Sequence, residues 1–231
     1  MKYRHIFFDL DHTLWDFESN AKFTLRELHA TLKLSELGID DFELFFERYN
    51  DHNDKLWDRY RKGFIKRDEL RLKRMRLTLL DFKVANETLA KTMDTQFLDM
   101  LPTRTILFPH TKEILEHLQA KGYQLHLITN GFEVVQHNKL KHSGLTGYFK
   151  QVITSEASNS LKPHREIFEY AFDKTGARPD TSIMIGDDIE ADIKGAQNAG
   201  IDQVFVNYKN HPGKVDATHT IYSLKELENI L

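Results

Sequence analysis

Residues 3–14 read YRHIFFDLDHTL, a short apolar run that ends at two aspartates separated by one residue. The apolar run is typical of a strand in a parallel sheet, because such strands are covered on both faces. Asp9 and Asp11 follow at the carboxyl end of that strand. Buried strand ends rarely tolerate carboxylates without a partner, so we expect a compensating charge beside this pair.

The same arrangement recurs further along the chain. Helical patterns of apolar residues separate short apolar runs at residues 123–128, 149–153, 182–185 and 204–206. Strands that alternate with helices predict an α/β fold with a doubly wound parallel sheet and right-handed crossovers. Prolines and glycines mark the predicted helices, which begin near Pro109, Pro163 and Asp188 and end near Gly122, Gly176 and Gly200.

Residues 16–103 interrupt this alternation, because their apolar residues recur only at helical spacing. The stretch 42–57, for example, places several aromatic residues on one helical face. Such stripes predict a small helical bundle inserted after the first strand. We therefore expect two domains, an α/β core formed by residues 1–15 and 104–231 and a helical domain formed by residues 16–103.

Composition restricts the class of protein further. The chain has 231 residues, enough for a sizeable core, and its 32 basic and 35 acidic residues give a net charge of −3. This balance does not favour binding to a nucleic acid polymer. The sequence contains no cysteine, which excludes disulfides and thiolate metal sites. No apolar run reaches the roughly 18 residues of a membrane span, and the residues before Asp9 are too few for a signal peptide, so we expect a soluble cytoplasmic protein that does not bind membranes.

Polar residues lie where the predicted strands end. Because the carboxyl ends of parallel strands share one edge of the sheet, and ligands bind at that edge, we expect these residues to converge on one crevice. The residues concerned are Asp9, Asp11, Thr129, Asn130, Lys162, Asp187 and Asp188.

Several carboxylates in one crevice repel one another, by roughly 3 kcal/mol for a pair about 5 Å apart at an effective dielectric of ~20. A hard divalent cation bound by oxygen atoms would compensate, and Mg²⁺ suits a few carboxylates together with water and a phosphate. Asp188 would equally suit the N-cap of a helix. Asp192, one turn further on, would either fix that loop or approach the metal.

The other polar residues at this edge suit a phosphate group. Thr129 offers a hydroxyl donor, Lys162 offers a positive charge, and the backbone N–H groups of residues 130–131 lie at a predicted helix start, where anions are favoured. The 12 histidines do not have the spacing of a zinc site. The sequence also lacks the glycine-rich motifs of nucleotide-binding loops and the Gly-x-Ser-x-Gly motif of serine hydrolases.

Four segments resemble, in order, the motifs of the haloacid dehalogenase (HAD) superfamily. They are residues 9–14 (DLDHTL), 128–131 (ITNG), 161–163 (LKP) and 185–192 (IGDDIEAD). The resemblance covers nearly the whole chain and implies a HAD-like Rossmannoid core with an inserted helical C1 cap. Less specifically, residues 56–63 and the basic helix after them resemble the pyrimidine-nucleotide 5′-nucleotidase branch of that superfamily.

The resemblance also implies a role for each residue at the crevice. Asp9 would be the nucleophile that takes the phosphoryl group as an aspartyl phosphate. Asp11 would protonate the leaving oxygen and then activate water. The residues that would hold the phosphoryl group are Thr129, Asn130 and Lys162, and those that would hold Mg²⁺ are Asp9, Asp11 through its backbone carbonyl, Asp187 and Asp188.

These roles imply a Mg²⁺-dependent phosphatase that hydrolyses a small phosphate monoester, with a nucleoside 5′-monophosphate as a candidate substrate. The aspartate at position 11 argues against the dehalogenases and P-type pumps of the superfamily, which lack it. A phosphomutase and a sugar-phosphate phosphatase stay as alternatives. A phosphoacceptor signalling domain is the alternative from another class, although such domains are much shorter and have no helical cap. The sequence does not indicate an oligomeric state.

Overall fold

The computed structural model describes residues 2–231, and the chain folds into two compact units. The first unit, here called the α/β unit, contains the residues up to 17 together with residues 105–231. The second, here called the helical unit, contains residues 18–104.

Six strands form the sheet of the α/β unit, in the order β3-β2-β1-β4-β5-β6, and every neighbouring pair is parallel. Because β1 lies inside the sheet, the chain builds first toward one side and then toward the other, which confirms the predicted doubly wound α/β fold. The strands are β1 (His5–Phe8), β2 (Gln124–Thr129), β3 (Gln151–Thr154), β4 (Ser182–Gly186), β5 (Asp202–Val206) and β6 (His219–Ile221). The sequence patterns did not predict β6, which is only three residues long and begins with two polar residues, His219 and Thr220.

The register of the central strands brings their ends level. Phe8 of β1 pairs with Leu127 of β2 on one side and with Ile185 of β4 on the other. The residues that follow these positions therefore leave the sheet at one common edge, formed by the carboxyl ends of the strands. Three loops from distant parts of the sequence meet there.

The helical unit is built from amphipathic helices with buried aromatic residues between them. The rings of Tyr49 and Phe97, for example, are both buried with their centroids 5.6 Å apart. Asp41 and Asn86 cap two of the helices by accepting backbone N–H groups at their first turns. The helices are α1 (Phe17–Thr31), α2 (Phe42–Arg61), α3 (Arg67–Asp81) and α4 (Glu87–Met100).

The helices of the α/β unit differ in detail from the sequence-based prediction. Those expected to open at Pro109 and Pro163 begin two residues later, because each proline lies in the turn that precedes its helix, and the Lys162–Pro163 peptide bond is cis. The helix expected after Asp188 begins as a wide π-type turn over Ile189–Lys194. Within residues 2–231, no helix combines the length and apolar character needed to cross a membrane. The helices are α5 (Thr111–Ala120), α6 (Glu133–Ser143), α7 (Ser155–Ser158), α8 (Arg165–Thr175) and α9 (Gly195–Asn198).

One layer of the core lies where α8 and α9 pack on the sheet. Phe168 of α8 is fully buried there with Phe7 of β1 and Met184 of β4. Burying aromatic and aliphatic side chains is the dominant favourable contribution to folding, so this layer holds the strand ends in place.

We expect Phe168→Ala to lower the free energy of unfolding by about 3–5 kcal/mol, because it removes a buried ring and leaves a cavity. Tyr222 is an exposed aromatic residue of the same unit, and Tyr222→Ala should change the free energy of unfolding by less than about 0.5 kcal/mol. Urea unfolding of both variants measures the difference. Equal losses of stability would contradict the core described here.

Candidate active site

A buried lysine joins two of the carboxylates at the carboxyl edge of the sheet. The Nζ atom of Lys162 lies 2.6 Å from Oδ1 of Asp9 and 2.6 Å from Oδ1 of Asp192. Only 2% of the Lys162 surface is exposed. Asp9 follows β1, Asp192 lies in the π-type turn after β4, and Lys162 lies beyond β3, so three segments meet at this one contact.

Asp9, Asp187 and Asp192 form an acidic cluster, in which each residue places one carboxylate oxygen within 4.8 Å of the others. Asp187 also accepts a hydrogen bond of 3.2 Å from the hydroxyl of Thr13. The hydroxyl of Tyr208 donates to the backbone carbonyl of Thr13 at 3.2 Å. The loops after β1 and β5 therefore orient the Asp187 carboxylate.

The single positive charge of Lys162 does not balance the three carboxylates of this cluster. Burial raises the pKa of Asp9 to about 7, because desolvation together with repulsion from Asp192 outweighs the attraction of Lys162. Burial, and then the Asp192 and Asp9 charges, raise the pKa of Asp187 well above its usual value. Burial alone would lower the pKa of Lys162, but Asp192 and Asp9 more than offset it and raise that pKa. A second positive charge would therefore be stabilised here.

The donor atoms of the acidic cluster fit a hard divalent cation, since all of them are carboxylate oxygens. Asp192 already uses one oxygen for Lys162 and the other for the backbone N–H of Asp188, 3.0 Å away. Asp9 and Asp187 are therefore the better candidates for direct metal ligands, and Asp192 supports Lys162.

Gly186, at the end of β4, leaves the space that the Asp192 side chain fills. A Cβ atom on Gly186 would lie 2.1 Å from Oδ2 and 2.6 Å from Cβ of Asp192. Atoms cannot approach that closely without displacing the backbone. Glycine at this position is thus a packing requirement of the acidic cluster.

Asp188 lies at the same edge, but its carboxylate caps the π-type turn. Its Oδ1 atom accepts the backbone N–H groups of Glu190 and Ala191, each at 2.9 Å. This is the N-cap role that the sequence left open. Contact between Asp188 and a metal ion stays a prediction.

Asn130 fixes the segment that carries Lys162. Its Nδ2 donates to the carbonyl of Lys162 at 2.9 Å, and its Oδ1 accepts the backbone N–H of the same residue at 2.7 Å. Both polar atoms of the Asn130 side chain are thus used within the protein. The structure gives Asn130 a supporting role that its sequence position alone did not indicate.

Thr129, the last residue of β2, has its hydroxyl oxygen directed into the loop. This oxygen accepts the backbone N–H of Gly131 at 3.1 Å and Nε2 of Gln136 at 2.8 Å, which leaves the hydroxyl proton available to donate. The expected helix start at residues 130–131 is wrong, because α6 begins at Glu133. The hydrogen bond from Gly131 to Thr129 instead holds these residues in a turn.

The Asp11 carboxylate contacts α6 and is not part of the acidic cluster. Its Oδ1 accepts Nζ of Lys139 at 2.5 Å, and its Oδ2 accepts Nε2 of Gln136 at 2.8 Å. The sequence did not indicate either partner, because many residues of α6 are polar and only the structure shows which of them face inward. The buried face of α6 carries Gln136, Lys139 and Ser143 at helical spacing, and polar residues on a buried face are unusual.

A family model described as "haloacid dehalogenase-like hydrolase" matches residues 3–200 of the chain. Pyrimidine 5′-nucleotidase PynA of Streptococcus pneumoniae is 31% identical over 100% of this chain and 96% of its own length. A glyceraldehyde 3-phosphate phosphatase of Methanocaldococcus jannaschii is 31% identical over 98% of this chain and 96% of its own length.

Among solved structures, the Bacillus subtilis protein YfnB, crystallised with bound magnesium, superposes with a TM-score of 0.88. It is 29% identical, and the match covers 100% of this chain and 99% of that one. Both the fold and the order of the elements are therefore shared along the whole chain.

We expect the metal-free protein to lose stability as the pH rises from about 4 to about 7. The pKa of Asp9 is about 7 in the folded chain and about 3.8 in the unfolded chain, so the folded state binds this proton more tightly. The resulting stability is complete below about pH 4 and is lost as the pH passes 7. Asp9→Asn removes this titration, so its stability relative to wild type should rise by roughly 2–4 kcal/mol across that range.

Urea unfolding with a chelator at the two ends of this pH range measures the effect. Asp173→Asn, at an exposed position of α8, is the matched control and should follow wild type. A difference between Asp9→Asn and wild type that does not change with pH would contradict the raised pKa.

Proposed function

The chain belongs to the haloacid dehalogenase-like hydrolases, and we propose that it is a Mg²⁺-dependent phosphatase that hydrolyses a small phosphate monoester. The observation that carries this proposal is the buried contact of Lys162 with Asp9, beside Asp187. Phosphoryl transfer needs positioning and charge neutralisation above all, and this contact combines a carboxylate nucleophile with a fixed positive charge.

In the first step, the Asp9 carboxylate attacks phosphorus, and the bond from phosphorus to the ester oxygen breaks. Asp11 gives a proton to that oxygen, and the alcohol leaves. In the second step, Asp11 takes a proton from water as the water attacks the aspartyl phosphate. Inorganic phosphate then leaves, and Asp9 is restored.

Several groups at the edge of the sheet would hold the transferring phosphoryl group. The ammonium of Lys162 lies beside the nucleophile, and the hydroxyl proton of Thr129 is available to a phosphate oxygen. Asn130 acts through its two hydrogen bonds to the backbone of Lys162, which keep the lysine in register with Asp9. The predicted contact of the Asn130 backbone amide with phosphate is part of this proposal.

The groups that would hold Mg²⁺ are the carboxylates of Asp9 and Asp187 and the backbone carbonyl of Asp11. Asp188 would either be a further ligand or lie next to the ligands. When bound, the ion supplies positive charge that neutralises the phosphoryl oxygens. The acidic cluster supports this choice, because its carboxylates exceed the charge of Lys162 and because oxygen ligands suit Mg²⁺. The magnesium in the YfnB structure supports it as well.

We propose a nucleoside 5′-monophosphate as the substrate, since PynA and this chain match along their whole length, the helical unit included. A sugar or triose phosphate is the second candidate, because the Methanocaldococcus jannaschii phosphatase is equally similar. We also propose that the helical unit acts as a cap and chooses between such esters, because the roles proposed for the residues at the sheet edge involve only phosphate and metal. A screen of nucleoside monophosphates and sugar phosphates with Mg²⁺ tests this ranking, and a preference for isomerisation over phosphate release would indicate a phosphomutase.

We expect Asp9→Asn to lower kcat for phosphate ester hydrolysis by at least about a thousandfold, because the substitution removes the nucleophile itself. Circular dichroism should show an intact fold. Intact-protein mass spectrometry after brief exposure to substrate should show one added phosphoryl group on wild type and none on the variant.

Asp173→Asn is the control for this experiment, since it makes the same change at an exposed position and should keep wild-type turnover. Turnover close to that of wild type by a folded Asp9→Asn protein would refute the assigned nucleophile. A single phosphorylation with no sustained release of phosphate would instead indicate a phosphoacceptor domain.

We expect exhaustive chelation to abolish hydrolysis and added Mg²⁺ to restore it. Asp187→Asn should raise the Mg²⁺ concentration needed for half-maximal activity by about tenfold or more, because it removes a proposed ligand. Asp188→Asn makes the same change one residue away, and an equal shift there would show that Asp188 also holds the ion. Full activity after verified metal removal would contradict a metal-dependent mechanism.

A further inference from the structure

Two hydrogen-bonded residues of α6, Gln136 and Lys139, have no role in the reaction steps proposed above. Both oxygens of the Asp11 carboxylate are engaged by this helix, Oδ1 by Nζ of Lys139 at 2.5 Å and Oδ2 by Nε2 of Gln136 at 2.8 Å. A side chain held at both oxygens loses its rotational freedom. The carboxylate of Asp11 is therefore fixed in direction as well as in place.

Lys139 is an expensive residue to bury, which indicates that the contact matters. Only 3% of its surface is exposed, and its Nζ lies 4.4 Å from the ring centroid of Trp15 and 5.5 Å from that of Phe17. A buried ammonium without a partner would cost several kcal/mol, so lysines are rarely placed in such surroundings. The rings and the Asp11 carboxylate together compensate the buried charge.

Gln136 connects Asp11 to the residue proposed to hold the phosphoryl group. Its Nε2 atom donates one hydrogen to Asp11 and the other to Oγ1 of Thr129, both at 2.8 Å. A Cβ atom on Gly131 would lie 1.7 Å from this same nitrogen, so glycine in the ITNG segment leaves the space that Gln136 occupies. The fully buried amide thus sets the separation between a phosphate donor and the proposed general acid.

We propose that Gln136 and Lys139 are positioning residues that hold the Asp11 carboxylate on the leaving-group side of the reaction. This inference rests on the proposed phosphatase function. Proton transfer to a leaving oxygen needs near-ideal placement of the acid, and a displacement of about 1 Å can cost about a hundredfold in rate. Neither residue needs to contact the substrate for this effect.

The test compares two esters that differ in their need for a proton. An alkyl phosphate, such as a nucleoside 5′-monophosphate, has a poor leaving group that must be protonated. The leaving group of p-nitrophenyl phosphate departs as a stable phenolate without that help. The ratio kcat/KM reports the first step, in which the ester bond breaks, so it isolates the contribution of the acid.

We expect Lys139→Met to lower kcat/KM for the alkyl ester by about a hundredfold and for the aryl ester by less than about fivefold. Methionine has an unbranched apolar side chain of similar length, so the substitution removes the ammonium without opening a large cavity. Lys141→Met is the matched control, since it makes the same change at an exposed position of the same helix and should leave both values unchanged. Equal losses for the two esters would overturn the proposal, because they would indicate a general effect on fold, phosphate or metal.

A second measurement does not depend on activity. Lys139→Met, Asp11→Asn and the double variant are compared by urea unfolding without metal. If Lys139 holds Asp11, the double variant should be no less stable than Lys139→Met alone, because the partner carboxylate is then absent as well. Strictly additive losses would overturn the proposal.

The two measurements also distinguish a failure of the proposed phosphatase function from a failure of the proposed positioning role. A wild-type protein that hydrolyses neither ester and no sugar phosphate would refute the proposed function, and the unfolding cycle would then decide the contact between Lys139 and Asp11 by itself. A wild-type protein that hydrolyses both esters, with coupled unfolding but no selective loss on the alkyl ester, would show that the contact is merely structural and would overturn the positioning role.

Discussion

The candidate site depends on one buried ammonium. Lys162 is held between Asp9 and Asp192, and replacing the lysine by a neutral residue would leave two buried carboxylates without their positive partner, at a cost of about 3–5 kcal/mol. Other features follow from this contact. Asn130 anchors the backbone of the lysine, and Gly186 leaves the space for Asp192. The surrounding backbone therefore holds the three charged side chains of Lys162, Asp9 and Asp192 in place.

Much of the fold could be predicted, because parallel strands leave an unusual pattern in the sequence. Apolar runs followed by polar residues indicated five of the six strands and the edge at which Asp9 and Lys162 meet. The missing strand, β6, is three residues long and contains a single apolar residue, so it resembles a loop. Helix starts are harder to place from the sequence, since the fixed backbone of a proline such as Pro163 suits a turn as well as a first helical residue.

The contacts of the site that could not be predicted are made by residues that form no distinctive pattern in the sequence. Lys139 and Gln136 lie on a helix with many polar residues, and only the structure shows that they face inward to Asp11. Asp188 could have capped a helix or held a metal, and its hydrogen bonds to Glu190 and Ala191 were needed to establish the capping. The residue type at each position is known from the sequence, but the direction in which its side chain points is not.

The order of the strands in the sheet has a consequence for how the chain folds. β1 lies at the centre of the sheet, yet its neighbours β2 and β4 come from far along the chain, and the pairing of Asp9 with Lys162 spans 153 positions. Contacts of such long range close late and slowly during folding. Asp9 meets Asp187 and Asp192 only once β4 has paired with β1, so a chain in which these two strands are still apart does not carry the mutual repulsion of the three aspartates.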